Sequence, residues 1–241
     1  AILLNPAFAE AYQNLGKILH QLDRLAESEE NFRKLIDLKP GDRESHGNLA
    51  TVLYEQGKFA EAEQYCKAAI KLKPDLPQSF NQLGLILAKL GRSDDAKKAY
   101  LRAIELDSFF CEAFNNLAVT QYERGEFIDS ERSCVKALEI RPDFSDALNN
   151  LGVALQRMGK LEEAEASCKQ AIALKPDFAE AHSNLGNSLK ELGRLKEAEV
   201  SYKQAIALKS DFAQAHNNLG NTLTELGRFE EAEASYTKAI A

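Results

Sequence analysis

An all-α solenoid of antiparallel helix pairs is the fold this 241-residue sequence predicts, and three observations carry the prediction. From Ala9 onward the chain aligns with itself in steps of 34 residues, without insertion or deletion. Each step holds two stretches whose apolar residues recur at helical spacing. A glycine closes most first stretches and a proline follows most second ones, so each step has its own internal punctuation.

The first stretch of a step is exemplified by residues 179–193. Ala181, His182, Leu185, Gly186, Leu189 and Leu192 follow the i, i+3, i+4, i+7 pattern of one helix face. The eighth position of every step is small: Gly16, Ala50, Gly84, Ala118, Gly152, Gly186 and Gly220. A leucine precedes it each time. Six of the seven steps then place glycine at the fifteenth position, as Gly57, Gly91, Gly125, Gly159, Gly193 and Gly227. Glycine adopts the left-handed conformation after a helix at little cost, so the first helix is expected to stop there.

The second stretch, exemplified by residues 195–208, repeats the pattern through Leu195, Ala198, Tyr202, Ala205 and Ile206. Pro40, Pro74, Pro142 and Pro176 follow this helix, and Ser108 and Ser210 take the proline slot in two other steps. Small residues at the eighth, twentieth and twenty-seventh positions let the two helices approach closely. Neither helix can bury its apolar stripe alone, so the pairs must stack.

Composition narrows the function classes. Apolar residues make up 44% and charged residues 28% of the chain, a foldable balance rather than a disordered one. A net charge of −7 leaves no broad basic footprint for nucleic acid. No apolar run approaches the ~20 residues that span a bilayer, so no membrane partner is expected. The start, AILLNPAFAE, has no basic segment of a signal peptide, and the four cysteines form no Cys-x-x-Cys pair. A reducing, cytoplasmic location is the expectation.

The Leu-Gly pair, the ring four residues before that glycine, alanine at the twentieth and twenty-seventh positions, an aromatic or cysteine at the twenty-fourth and the closing proline resemble the tetratricopeptide repeat. The likeness covers essentially the whole chain. It implies a right-handed superhelix whose first helices line a concave groove and whose second helices face outward. The expected division is residues 1–8 as the end of a preceding repeat, then repeats at 9–42, 43–76, 77–110, 111–144, 145–178 and 179–212, with an incomplete one at 213–241. No polar capping helix follows, so end-to-end self-association is a further expectation.

Residues that could suggest chemistry fall on packing positions. Cys66, Cys134 and Cys168 share the twenty-fourth position with Phe32, Tyr100, Tyr202 and Tyr236, as small buried apolar residues would. Cys111 opens a first helix and is expected to be partly exposed. His46, His182 and His216 share the fourth position with Tyr12, Phe80 and Phe114, where a ring packs between helices. No metal-ligand spacing, base-paired nucleophile or phosphate-binding glycine loop is present, so neither a cofactor nor a catalytic residue is expected.

A column of carboxamides is the candidate binding feature. Asn14, Asn48, Asn116, Asn150, Asn184 and Asn218 occupy the sixth position of their steps, and Gln82 fills it in the third. A carboxamide both donates and accepts, so it can pair with the N–H and C=O of an extended peptide without reading its side chains. The structural alternative is a bond to the backbone of a neighbouring helix. Steps one, two and four have drifted from the rest yet keep the residue, which favours the ligand-facing role. Such a column resembles the tetratricopeptide region of O-linked N-acetylglucosamine transferases, whose groove receives substrate polypeptides.

The carboxylate clamp of chaperone-docking members is absent here. The second positions are mostly acidic (Glu10, Glu44, Glu112, Asp146, Glu180), and Gln13, Asn81 or Asn115 stand where lysine is needed. Glu55, Glu123, Glu191 and Glu225 recur on the groove side with Lys17, Lys89, Arg157 and Lys190 among them; such a mildly acidic lining would prefer neutral or basic peptides, but ordinary solvated charges are the favoured reading. His20 lies on the same side. The expected function is a non-catalytic scaffold binding extended segments of partner proteins. The alternative is the substrate-recruiting arm of a larger enzyme, such as an O-linked N-acetylglucosamine-type glycosyltransferase.

Overall fold

A computed structural model describes residues 8–240, so the segment expected to end a preceding repeat lies outside the described residues except for Phe8. Helices alternate with short turns throughout, and no strand occurs among the described residues. In order they are α1 (Ala9–Gln21), α2 (Leu25–Leu38), α3 (Arg43–Glu55), α4 (Phe59–Leu72), α5 (Pro77–Lys89), α6 (Ser93–Leu106) and α7 (Cys111–Glu123). They continue as α8 (Phe127–Ile140), α9 (Ser145–Arg157), α10 (Leu161–Leu174), α11 (Ala179–Glu191), α12 (Leu195–Leu208), α13 (Ala213–Glu225) and α14 (Phe229–Ile240).

The chain forms two compact units, one up to Thr120 and one from Gln121. Within the first, the packed neighbours are α1–α2, α2–α3, α3–α4, α4–α5 and α5–α6, and α1 also touches α3 and α3 touches α5. Within the second, α8 to α14 pack in sequence, and α9 touches α11 and α11 touches α13. Successive second helices meet through side chains instead: Arg33 of α2 donates to Glu61 at 2.6 Å and to the Tyr65 hydroxyl at 2.9 Å, both on α4. In each unit the backbones of successive first helices therefore approach more closely than those of successive second helices.

The turn inside each pair is set by backbone chirality. Gly193 has φ of +75°, and Arg194 N–H closes the turn on Leu189 C=O at 2.9 Å. The other five fifteenth-position glycines repeat that conformation. In the first pair the position is Asp23, the one described non-glycine residue with positive φ, at +57°. An L side chain strains there. Asp23→Gly is expected to stabilise the protein by about 0.5–1 kcal/mol, measured as a rise in the urea midpoint with an unchanged slope.

The close approach inside a pair is equally specific. A Cβ on Gly186 would sit 2.6 Å from Tyr202 Cε1, and one on Gly220 would sit 2.6 Å from Tyr236 Cε1. Gly16 lies against the Phe32 ring and Gly84 against the Tyr100 ring in the same way. The aromatic of the second helix thus packs directly against the bare backbone of the first. Tyr100 and Tyr202 are among the largest fully buried side chains.

Between successive pairs runs a charge ladder that the sequence pattern did not announce. Lys58, Arg92, Lys160, Arg194 and Arg228 reach back to Glu29, Glu63, Glu131, Glu165 and Glu199 at 2.6–2.8 Å. The glutamates are only 11–22% exposed. Four of them hold a second cation one turn along their own helix: Glu29–Arg33, Glu63–Lys67, Glu165–Lys169 and Glu199–Lys203. The signal in the sequence is a basic residue at the sixteenth position, 29 residues after a glutamate at the twenty-first.

Candidate functional site

In the first unit the carboxamide column runs over α1, α3, α5 and α7. Asn14 is exposed, whereas Asn48, Gln82 and Asn116 are half-buried. Asn116 Nδ2 donates to Asn81 Oδ1 of α5 at 3.0 Å. Gln82 Nε2 donates to Gly47 C=O at 3.2 Å and to Thr51 Oγ at 2.8 Å, both on α3. Gln82 thus makes the bond to a neighbouring helix backbone that the structural alternative describes. Asn48 Nδ2 is buried and makes no hydrogen bond.

In the second unit Asn150, Asn184 and Asn218 are half-buried on α9, α11 and α13. Asn184 Nδ2 donates to Asn149 Oδ1 at 2.9 Å, and Asn218 Nδ2 donates to Asn187 Oδ1 at 2.9 Å. Asn187 Oδ1 also accepts the Tyr202 hydroxyl at 2.8 Å, and Asn221 Oδ1 accepts that of Tyr236 at 2.8 Å. Burial, with Glu191 and Glu225 nearby, pushes the Tyr202 hydroxyl above its ordinary pKa, so it remains a donor. Three column residues, Asn116, Asn184 and Asn218, therefore each spend one N–H on an amide of the preceding first helix. That bond fixes which way the carboxamide faces. The other N–H and Oδ1 of these three carry no protein bond among the described residues.

The fifth- and ninth-position amides, Asn81, Asn149, Asn187 and Asn221, were missed as site residues. Their signal was present in stretches such as LGNSL and LGNTL, but their role depends on a residue 31–35 positions away or on the paired helix.

The groove-side charges are not simply solvated. His20 Nε2 lies 2.6 Å from Glu55, Gln156 Nε2 donates to Glu191 at 2.6 Å, and Lys190 lies 3.0 Å from Glu225. Each links the twelfth position of one first helix to the thirteenth of the next. Lys17 similarly meets Glu44 at 2.6 Å, and holds that carboxyl below the usual carboxylate range.

Two cavities open beside the column. One of 270 Å³ in the first unit is lined by Lys17, His20, Gln21, Phe32, Asn48 and Thr51. One of 350 Å³ in the second lies among α9, α11, α12 and α13 and includes Asn187, Asn218, Glu191 and Glu225.

The histidines at the fourth position are pins rather than ligands. The Nε2 atoms of His46, His182 and His216 meet the backbone carbonyls of Pro40, Pro176 and Ser210 at 2.9–3.0 Å. Cys66, Cys134 and Cys168 are fully buried, and burial pushes their thiols up to about 12. Cys111 departs from its expectation: it is buried, with Sγ 3.2 Å from Glu112, because the first position of α7 faces inward. Among the described residues no group of three side chains could hold a metal ion, and no helix is long and apolar enough to cross a membrane.

Comparison with known families gives models described as tetratricopeptide repeat for residues 9–42, 41–108, 81–143, 145–178, 167–200 and 215–241. A further one, described as TPR repeat, matches 186–227. The comparison with curated proteins gives no match. Among solved structures, MamA is 25% identical, covers 66% of this chain and 92% of its own, and superposes with a TM-score of 0.58. YrrB, described as a TPR protein with an unusual peptide-binding site, is 23% identical over 75% of this chain and 93% of its own, with a TM-score of 0.58. A tetratricopeptide repeat protein from Parabacteroides merdae is 16% identical, covers 96% of this chain and 91% of its own, and reaches 0.78. For the latter two, the likeness is one of fold.

Proposed function

The chain belongs to the tetratricopeptide repeat family, and from that premise we propose that it is a protein-interaction scaffold that holds an extended polypeptide along its first helices. Asn14, Asn48, Gln82, Asn116, Asn150, Asn184 and Asn218 are the contacts of this reading, one per 34-residue repeat. The observation that carries it is the orientation of Asn116, Asn184 and Asn218. Each is anchored by one N–H, half-buried, and left with an acceptor and a donor that no protein group uses among the described residues. An amide anchored in this way loses little rotamer freedom when it meets a peptide unit. YrrB, which shares the fold and is described as having a peptide-binding site, agrees with this reading.

Changing Asn116, Asn150 and Asn184 together to alanine is expected to weaken binding to a random peptide library by about tenfold or more. Peptide arrays read the affinity, and circular dichroism checks that helix content is retained. Equal affinity of the folded variant and the wild type would remove the column from the mechanism.

A further inference from the structure

The 350 Å³ cavity beside the column has an unequal supply of hydrogen-bonding groups. Asn187 Oδ1 is saturated by Tyr202 and Asn218. Glu191 accepts from Gln156 through Oε1 only, and Glu225 meets Lys190 through Oε1 only. Their second carboxylate oxygens, Gln156 Oε1 and Asn218 Oδ1 have no protein donor among the described residues. Two carboxylates and one ammonium line the space, leaving one negative charge in excess.

We propose that this cavity is a subsite for a basic side chain, lysine or arginine, of the polypeptide bound along the first helices. The proposal rests on the reading that a polypeptide binds there at all. A guanidinium brings five donors and an ammonium three, which suits a wall of unused acceptors. An acidic side chain would face Glu191 with Lys190 already engaged by Glu225. An apolar one would strip water from two carboxylates without replacing its hydrogen bonds. The partner recognised at this end is therefore a segment carrying at least one basic residue.

The test uses two fluorescently labelled peptide pools, identical except that one fixed arginine is replaced by citrulline, its neutral isostere. With wild-type protein the arginine pool is expected to bind about twofold to fivefold tighter by anisotropy, the scale of partly exposed charge pairs. In a Glu191→Gln/Glu225→Gln variant the ratio is expected to fall to near one. Two results overturn the subsite: a wild-type ratio near one with both pools binding, or a ratio that persists in the folded variant. A wild type that binds neither pool overturns instead the polypeptide reading on which it rests. Should the double variant fail to fold, the single variants Glu191→Gln and Glu225→Gln make the same test: each is expected to lower the ratio, and a ratio unchanged in both overturns the subsite.

Discussion

Gly84→Ala is expected to destabilise the first unit by about 2 kcal/mol, within the usual range for overpacking a core, although alanine is the better helix former. The added methyl would lie 2.6 Å from Tyr100 Cδ1 and 2.8 Å from Cζ. Tyr100 is only 1% exposed and has no room to swing away. The helix-propensity gain of about 1 kcal/mol offsets part of the clash but not all of it. The chain itself contains the remedy. Where the eighth position is alanine, as in Ala50 and Ala118, the twenty-fourth is cysteine, Cys66 and Cys134. Tyr100→Cys alone leaves a cavity over Gly84 and is expected to cost about 3–5 kcal/mol. The double variant Gly84→Ala/Tyr100→Cys restores a pairing already used, so its loss is expected to fall short of the sum by at least about 1 kcal/mol. Urea unfolding of the four proteins reads the coupling, and strict additivity would show that the two positions do not share one contact.

Replacing Glu29, Glu63, Glu165 and Glu199 by glutamine is expected to remove about 4 kcal/mol in total, at roughly 1 kcal/mol for each charge-assisted site. Each carboxylate bridges two pairs of helices and holds a second cation on its own helix. In a stack whose stability is a sum of repeat and interface terms, these losses add. The four carboxyls are held below the ordinary value of 4.5. For Glu63 and Glu165 a bond from the i+4 lysine is the largest cause; for Glu29 and Glu199 the cation bonds outweigh the opposing effect of burial. A depressed folded value means that the stabilisation is fully present above the unfolded value and is lost as pH falls through the folded one. The wild-type melting temperature is therefore expected to drop below about pH 4.5, and the quadruple variant to start lower and drop less. Equal acid sensitivity in both would assign the effect to other carboxylates, such as Glu44, which Lys17 holds low in the same way.

Both pairs of positions mark the point where sequence pattern stops being informative. The alternation of glycine and alanine at the eighth position was visible, as was the mixture of aromatics and cysteines at the twenty-fourth. That the two positions touch was not, since a period of 34 residues does not say which faces meet. The ladder of basic residues and glutamates was equally regular, yet its partners stand 29 residues apart. Charge that recurs on a helix surface reads as solvated until the packing of successive pairs buries one end of it.

The sequence by itself determined the helices, their turns and their order. Those depend on local causes: apolar spacing along one helix face, a glycine able to hold positive φ, and a proline that cannot continue a helix. The tertiary structure decided what the side chains do. Asn116, Asn184 and Asn218 look alike in sequence to Gln82, but three donate to amides and the fourth to a backbone carbonyl. Cys111 turns inward, and Glu55, Glu191 and Glu225 on the groove side are tied to the first helix of the preceding pair. The physical reason is the same in each case: a hydrogen bond needs its partner within about 3 Å, and that partner lies in another repeat, brought there only when the helix pairs stack.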